Sequence, residues 1–231
     1  MVLAAGLGKR MRPLTATRPK PLIEVAGATL LDHALARLAI ARVPRAVVNV
    51  HYMADQVEAH VARRPAGLEI RISNERPQLL ETGGGVARAL PLLDADPFFV
   101  LNSDNFWIDG VAPTLAGLAA QWEPTHMDAL LLLVPLARAH GYEGSGDFHM
   151  DESGRLRRRA ECRVAPYVFS GVQILARSLF DGVAVEPFSL NRLYDQALAQ
   201  GRLYGALHSG LWFHVGTPEA IAETEAVLAH A

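Results

Sequence analysis

Residues 2 to 22 constrain this chain more than any other stretch. A short apolar strand, Val2 to Ala5, runs without pause into a loop punctuated by Gly6 and Gly8. Lys9, Arg10, Arg12, Arg18 and Lys20 follow, five cations within twelve residues, set among Pro13, Pro19 and Pro21. Like charges this dense repel one another unless an anion lies among them. Glycines let the backbone approach such an anion and offer it N–H groups, so the expected ligand is a polyphosphate. The two commonest phosphate loops are excluded. A dinucleotide fingerprint needs a third glycine where Met11 stands, and a P-loop needs Ser or Thr where Arg10 follows Gly8 and Lys9.

Beyond the loop, strands and helices alternate. Thr29 to Ala41 has helical periodicity with Thr29 as N-cap, Arg45 to Val50 is a buried strand, and Ala54 to Arg64 is helical again. Glu69 to Ser73 reads as a strand, Gly83 to Leu93 as a helix, Pro97 to Leu101 as an apolar strand and Val111 to Trp122 as a helix. This is the pattern of an α/β fold with a mostly parallel sheet covered on both faces, in which ligands bind beyond the carboxyl ends of the strands. After Asp128 strands dominate: Ala129 to Leu136, Asp147 to Asp151, Tyr167 to Leu175 and Arg202 to Leu207, with helices at Ser189–Gln200 and Pro218–Ala229. No linker or repeat divides the chain. The expectation is one domain, 1–231, with a nucleotide-binding lobe at 1–127 and a sugar-phosphate-binding lobe at 128–231.

Composition narrows the function classes. Half of the 231 residues are apolar and 20% are charged, a globular balance. Lys plus Arg total 22 against 24 for Asp plus Glu, a net charge of −2 that argues against nucleic-acid binding through bulk charge. The one cysteine, Cys162, excludes an intrachain disulfide and suits a reducing compartment. No apolar run approaches the ~20 residues of a membrane span, and no leader is expected before the loop. A cytoplasmic protein with no membrane or nucleic-acid partner is expected.

The segment Leu3 to Gly6, Gly8, Arg10, Pro13 to Thr15 and Pro19 to Leu22 resembles the signature of the sugar-1-phosphate nucleotidylyltransferases. The resemblance extends over nearly the whole chain. It implies a Rossmann-like, mostly parallel mixed sheet flanked by helices. It also implies nucleotidyl transfer from a nucleoside triphosphate to a sugar 1-phosphate. Such transfer asks the protein to position two anions and neutralise growing charge. Arg suits a bidentate grip on a polyphosphate, and Lys supplies a compact charge. The resemblance gives Arg10 and Lys20 these catalytic roles and makes Ala4, Ala5, Gly6, Gly8 and Lys9 nucleotide-binding. Glu81-Thr82-Gly83-Gly84-Gly85 opens a helix, and three glycines there would let a base lie against the backbone. Glu81, Thr82 and Gly83 are therefore candidate base-side residues. This string is similar to that of the small bacterial N-acetylmuramate 1-phosphate uridylyltransferases, which implies UTP, a muramate-type acceptor and a place in cell-wall sugar recycling. The same opening signature occurs in guanylyltransferases acting on mannose 1-phosphate and in cytidylyltransferases of the superfamily.

Asn102-Ser103-Asp104 ends an apolar strand, where a carboxylate facing a triphosphate is placed to hold Mg²⁺. Asn102 joins the nucleotide-binding set and Asp104 is the first candidate metal ligand. The family's late motif, Trp-x-Asp-Val-Gly-Thr, is matched by Trp212 to Thr217 except that His214 replaces the aspartate. Histidine favours softer ions, so Mn²⁺ or another divalent metal enters as an alternative. Two other readings of His214 stay open: a cation that grips phosphate, or the mark of a non-catalytic sugar-nucleotide binder. On the acceptor side, Gly146 and Asp147, and Ser170 and Gly171, resemble segments that line the sugar pocket, with Glu161 as a further candidate. The arginine run from Arg155 to Arg163 suits a charged edge strand. A monomer or small homo-oligomer is expected.

Overall fold

A computed structural model describes residues 1–64 and 67–230. The chain opens with β1 (Val2–Leu3), crosses the glycine loop, and forms a ribbon of β2 (Glu24–Val25) and β3 (Ala28–Thr29) before α1 (Leu30–Ile40). Then come β4 (Arg45–Val50), α2 (Ala54–Ala62), β5 (Glu69–Asn74), α3 (Glu81–Ala89) and β6 (Phe98–Asn102). The second half adds β7 (Asn105–Ile108), α4 (Thr114–Ala120), β8 (Ala129–Pro135), β9 (Ala139–His140), β10 (Phe148–Met150) and β11 (Leu156–Arg158). It closes with β12 (Tyr167–Leu175), α5 (Asn191–Ala199), β13 (Leu203–Leu207), β14 (Leu211–His214) and α6 (Pro218–Leu228). Among the described residues no helix is long and apolar enough to cross a membrane.

Nine strands form one sheet in the order β11-β10-β12-β6-β1-β4-β5, with β8 beside β12 and β13 beside β8. The β6-β1-β4-β5 segment is wholly parallel, and β12 then runs antiparallel to both β6 and β8. The sheet is therefore mixed and continuous across both halves of the chain. Helices α1, α2 and α4 pack on one face through Leu31, Leu35, Val57 and Leu118, and α3 and α5 on the other through Val86, Leu193 and Tyr194. Thr29 caps α1 as expected, its hydroxyl accepting the Asp32 N–H at 3.0 Å.

Sequence reading missed β7 and β14. They form a small second sheet, β7-β14-β9. It shares a third apolar core with the opening glycine loop: Met11 packs with Phe106, Phe213 and Val215, and α6 adds Ile221 and Val227. Full burial of a methionine contributes about 1.5–3 kcal/mol. Met11 thereby anchors the cationic loop to the strand that carries His214.

Candidate active site

Strand order creates the site. The chain moves from β1 out to β4 and β5, then returns to place β6 on the other side of β1, so a topological switch point lies between β1 and β6. Beyond their carboxyl ends opens a cleft of about 330 Å³, lined by Leu3, Ala5, Gly6, Lys20, Asn49, Leu79, Glu81, Thr82, Asn102, Asp104 and Ser189. The opening loop and the Asn102–Asp104 segment meet there as the sequence implied.

Gly8 explains how Lys20 reaches the cleft. Its φ of +59° turns the loop back on itself, and a Cβ there would lie 3.0 Å from both Lys20 Cβ and Thr15 Cγ2. The Thr15 hydroxyl ties the fold by donating to Gly8 O at 2.9 Å. Lys20 Nζ then donates to Asp104 Oδ2 at 2.9 Å, with both side chains largely shielded from water. Burial alone would raise the Asp104 carboxyl, but the Lys20 charge and hydrogen bond, helped by His214, outweigh it and hold the group below its ordinary range.

Arg10 lies across from this pair. It is exposed, and with His214, Tyr142, Glu143, Gly216 and Thr217 it lines a second cleft of about 520 Å³. The wall between the two clefts is the carboxyl end of β14: Val215 donates its N–H to Asp104 O at 3.3 Å, and His214 stands opposite Asn105 in register. A Cβ on Gly216 would fall 2.6 Å from His214 Nε2 and 3.5 Å from Arg10 Nη1, so bare backbone is what lets Arg10 and His214 come together. Burial pushes the His214 pKa down; Asp104 opposes the shift, and Lys20 and Arg10 add to it. In the free protein the neutral imidazole is favoured at neutral pH. Asp104, His214, Lys20 and Arg10 therefore converge where the two clefts adjoin.

Several residues sit differently from their sequence reading. Helix α3 starts at Glu81, so the three glycines lie inside it and none lines the cleft. The N–H groups of Gly83 and Gly84 donate to Phe188 O at 2.8 and 3.2 Å instead of facing a base. A Cβ on Gly83 would lie 2.2 Å from the Phe188 ring, and one on Gly84 2.0 Å from Glu186 O. Their absent side chains admit the 186–190 segment, which delivers Ser189 to the cleft. Ala4 is also spent internally, donating its N–H to Asn49 Oδ1 at 2.7 Å. Lys9 is exposed and lines neither cleft.

None of the acceptor-side candidates lines either cleft; Gly146, Asp147, Ser170 and Gly171 are taken up by internal contacts. Asp147 accepts the Phe169 N–H at 2.8 Å and faces the Tyr142 hydroxyl at 3.4 Å, steadying the turn that carries Tyr142. Gly146 is buried against Ala165 O. Ser170 and Gly171 form a bulge in β12 that packs on Asn102 and Asn105, and Trp212 donates to Ser170 O at 3.0 Å. Glu161 lies on an exposed turn outside both linings. Three of the clustered arginines are engaged by their surroundings. Arg155 donates to the Tyr204 hydroxyl, Arg158 pairs with Asp195, and Arg159 donates to Gly146 O; β11 is an edge strand. Asn49, Leu79, Ser189 and Tyr142 were not anticipated as lining residues. Asn49 alone left a signal, a polar residue inside an apolar strand.

The chain belongs to the nucleotidyl transferase family, whose model matches residues 1–230. It is 47% identical to the N-acetylmuramate alpha-1-phosphate uridylyltransferase of Caulobacter vibrioides, an alignment covering 100% of this chain and 97% of that one. Identity to the protein of the same name from Neisseria meningitidis is 37%, over 98% and 96% of the two chains. The inositol-1-phosphate CTP transferase of T. maritima superimposes with a TM-score of 0.78 at 18% identity, covering 97% of this chain and 93% of that one, and so shares the fold.

Proposed function

We propose that this nucleotidyltransferase moves a uridylyl group from UTP to N-acetylmuramic acid 1-phosphate, releasing pyrophosphate, in the cytoplasmic recycling of cell-wall sugars. One observation carries the reading: Lys20 and Asp104 stand paired at the floor of a switch-point cleft, with Arg10 and His214 across the adjoining wall. The full-length likeness to two uridylyltransferases supports the choice of base and acceptor.

In this reading the triphosphate lies over Gly6, with its base toward Leu79, Glu81 and Thr82. An acceptor phosphate oxygen attacks the α-phosphorus in line as the bond to the β-phosphate oxygen breaks. No general base is required, because the acceptor is already ionised at neutral pH. Lys20 holds charge beside the α-phosphate, and Arg10 grips the outgoing pyrophosphate bidentately. Asp104 offers one hard oxygen. Among the described residues no group of three His, Cys, Asp or Glu side chains could cage an ion. An oxygen donor of this kind fits Mg²⁺, which Asp104 would hold when the ion arrives with the nucleotide, with His214 beside it as a neutral nitrogen donor. When bound, the ion would neutralise charge on the phosphates.

The test is pyrophosphate release across four nucleoside triphosphates, several sugar 1-phosphates and Mg²⁺ or Mn²⁺. UTP with the muramate phosphate should be fastest, and Asp104→Ala should abolish the rate. Faster turnover of GTP with mannose 1-phosphate would overturn the assignment, and absence of turnover with every pair would leave a sugar-nucleotide binder.

A further inference from the structure

From Asn49 in the lining of the first cleft, a chain of side chains that the proposed chemistry does not use runs beneath it. Glu75 follows β5 and is fully buried. Its Oε1 accepts the Asn49 Nδ2–H at 2.7 Å, and its Oε2 accepts the Leu80 backbone N–H at 3.0 Å. Asn49, 2% exposed, in turn accepts the Ala4 N–H through Oδ1 at 2.7 Å. The path Ala4–Asn49–Glu75–Leu80 therefore spans the cleft floor from wall to wall. Ala4 lies between Leu3 and Ala5, and Leu80 between Leu79 and Glu81, and all four of those neighbours line the cleft.

The backbone of Glu75 is fixed as well: its N–H donates to Val50 O at 2.8 Å and His51 Nδ1 lies 2.7 Å from its carbonyl oxygen. Room for the pair comes from the third glycine of the α3 triplet. A Cβ on Gly85 would sit 2.8 Å from Glu75 Oε1 and 3.0 Å from Asn49 Nδ2. Among the described residues Glu75 has no ion-pair partner. A buried carboxyl held only by neutral donors adds little net stability compared with apolar filling, but it fixes direction sharply.

We propose that Asn49 and Glu75 are a positioning pair that sets the triphosphate-side wall against the base-side wall and so preorganises the cleft for a nucleoside triphosphate. The proposal rests on the reading of this cleft as the nucleotide site. Neither residue touches the reacting atoms; both act through the backbone N–H groups of Ala4 and Leu80.

Polarity exchange tests it. Glu75→Gln turns a donor toward the N–H of either Asn49 or Leu80, and Asn49→Asp sets two carboxyl groups face to face. The double variant Asn49→Asp/Glu75→Gln rebuilds every hydrogen bond with the central one reversed. The introduced amide would donate to the introduced carboxylate, and its oxygen would still accept from Leu80. UTP binding by calorimetry and KM for both substrates are measured at a temperature where circular dichroism shows the proteins folded. Each single variant should raise the UTP Kd and KM at least tenfold while the acceptor KM stays within twofold, and the double should return to within threefold of the parent. Single variants within twofold of the parent for UTP, equal rises in both KM values, or a double as impaired as the singles would overturn the pair. Should a single variant not fold, the double decides, and its failure to fold or to bind UTP counts against the proposal. A parent that binds none of the four nucleoside triphosphates overturns the nucleotide reading, and this pair's role with it.

Discussion

Gly83 offers a direct test of whether the glycine triplet serves the ligand or the fold. A Cβ there would sit 2.2 Å from Phe188 Cε2, where carbon atoms normally stay about 3.5–4.0 Å apart. The ring cannot simply retreat with its backbone. Phe188 O accepts from Gly83 and Gly84, and its N–H donates to Leu80 O at 3.2 Å. Forced overpacking of this kind costs about 1–3 kcal/mol, while alanine regains up to ~1 kcal/mol of helix propensity. Gly83→Ala should therefore destabilise by a net of up to ~2 kcal/mol. Phe188→Ala alone should cost about 3–5 kcal/mol, since the ring is 7% exposed and carries the Arg192 guanidinium 3.8 Å from its centroid. In the Phe188→Ala background the clash is gone, so adding Gly83→Ala should be neutral or stabilising by up to ~1 kcal/mol. Urea unfolding of the four proteins measures this cycle, with nucleotide KM recorded alongside. The reasoning fails if Gly83→Ala costs the same in both backgrounds, or if it raises KM while leaving stability untouched. The first result would mean that Phe188 is not what Gly83 makes room for, and the second that the glycine makes room for the base.

Further expectations concern charge and strain. Lys20→Ala should lower kcat/KM about 10²–10³-fold, the usual loss when a donor to developing charge is removed, read as pyrophosphate release. His214→Asp restores an oxygen donor beside Asp104 and should raise the ratio of Mg²⁺- to Mn²⁺-supported turnover; an unchanged ratio would remove His214 from the metal's surroundings. Glu81 holds φ +58° as a non-glycine residue, so Glu81→Gly should stabilise by ~1 kcal/mol in urea midpoints, and a loss would refute the strain argument. His208 is 4% exposed, and burial pushes its pKa below the ordinary 6.5 despite the Leu211 carbonyl and Asp109. Its folded-state value is thus depressed, so its stabilising contribution is full above pH 6.5 and is lost as the pH falls through the folded pKa. His208→Gln should flatten the fall of the melting temperature below pH 6.5.

The residues that could be read ahead of the structure are those whose chemistry is local. Thr29 caps the helix that immediately follows it, and the run Ala46 to Val50 is buried because nearly every member is apolar. Gly6 through Lys20 carry their meaning in short spacing. What escaped reading depends on distant partners. Glu75 sits in a polar stretch, Ser73 to Gln78, that looks like any exposed turn, and only the return of α3 places Leu80 and Gly85 over it. The glycine triplet was legible as a demand for close approach, but the approaching group is Phe188, more than one hundred residues later in the chain. His214 shows the same limit from the other side. Its motif could be aligned residue by residue, yet its electrostatic surroundings come from Asp104, Lys20 and Arg10, three residues that only the β7–β14 pairing and the Gly8 turn bring together. A histidine in that setting is held neutral by burial and by two cations while a carboxylate pulls the other way. When a nucleotide places phosphates between Arg10 and Lys20, it removes part of the cationic opposition and should shift His214 toward protonation. The imidazole titration, followed by NMR with and without UTP, should therefore move to higher pH on binding, and a shift to lower pH would show that a cation arriving with the nucleotide dominates at this position.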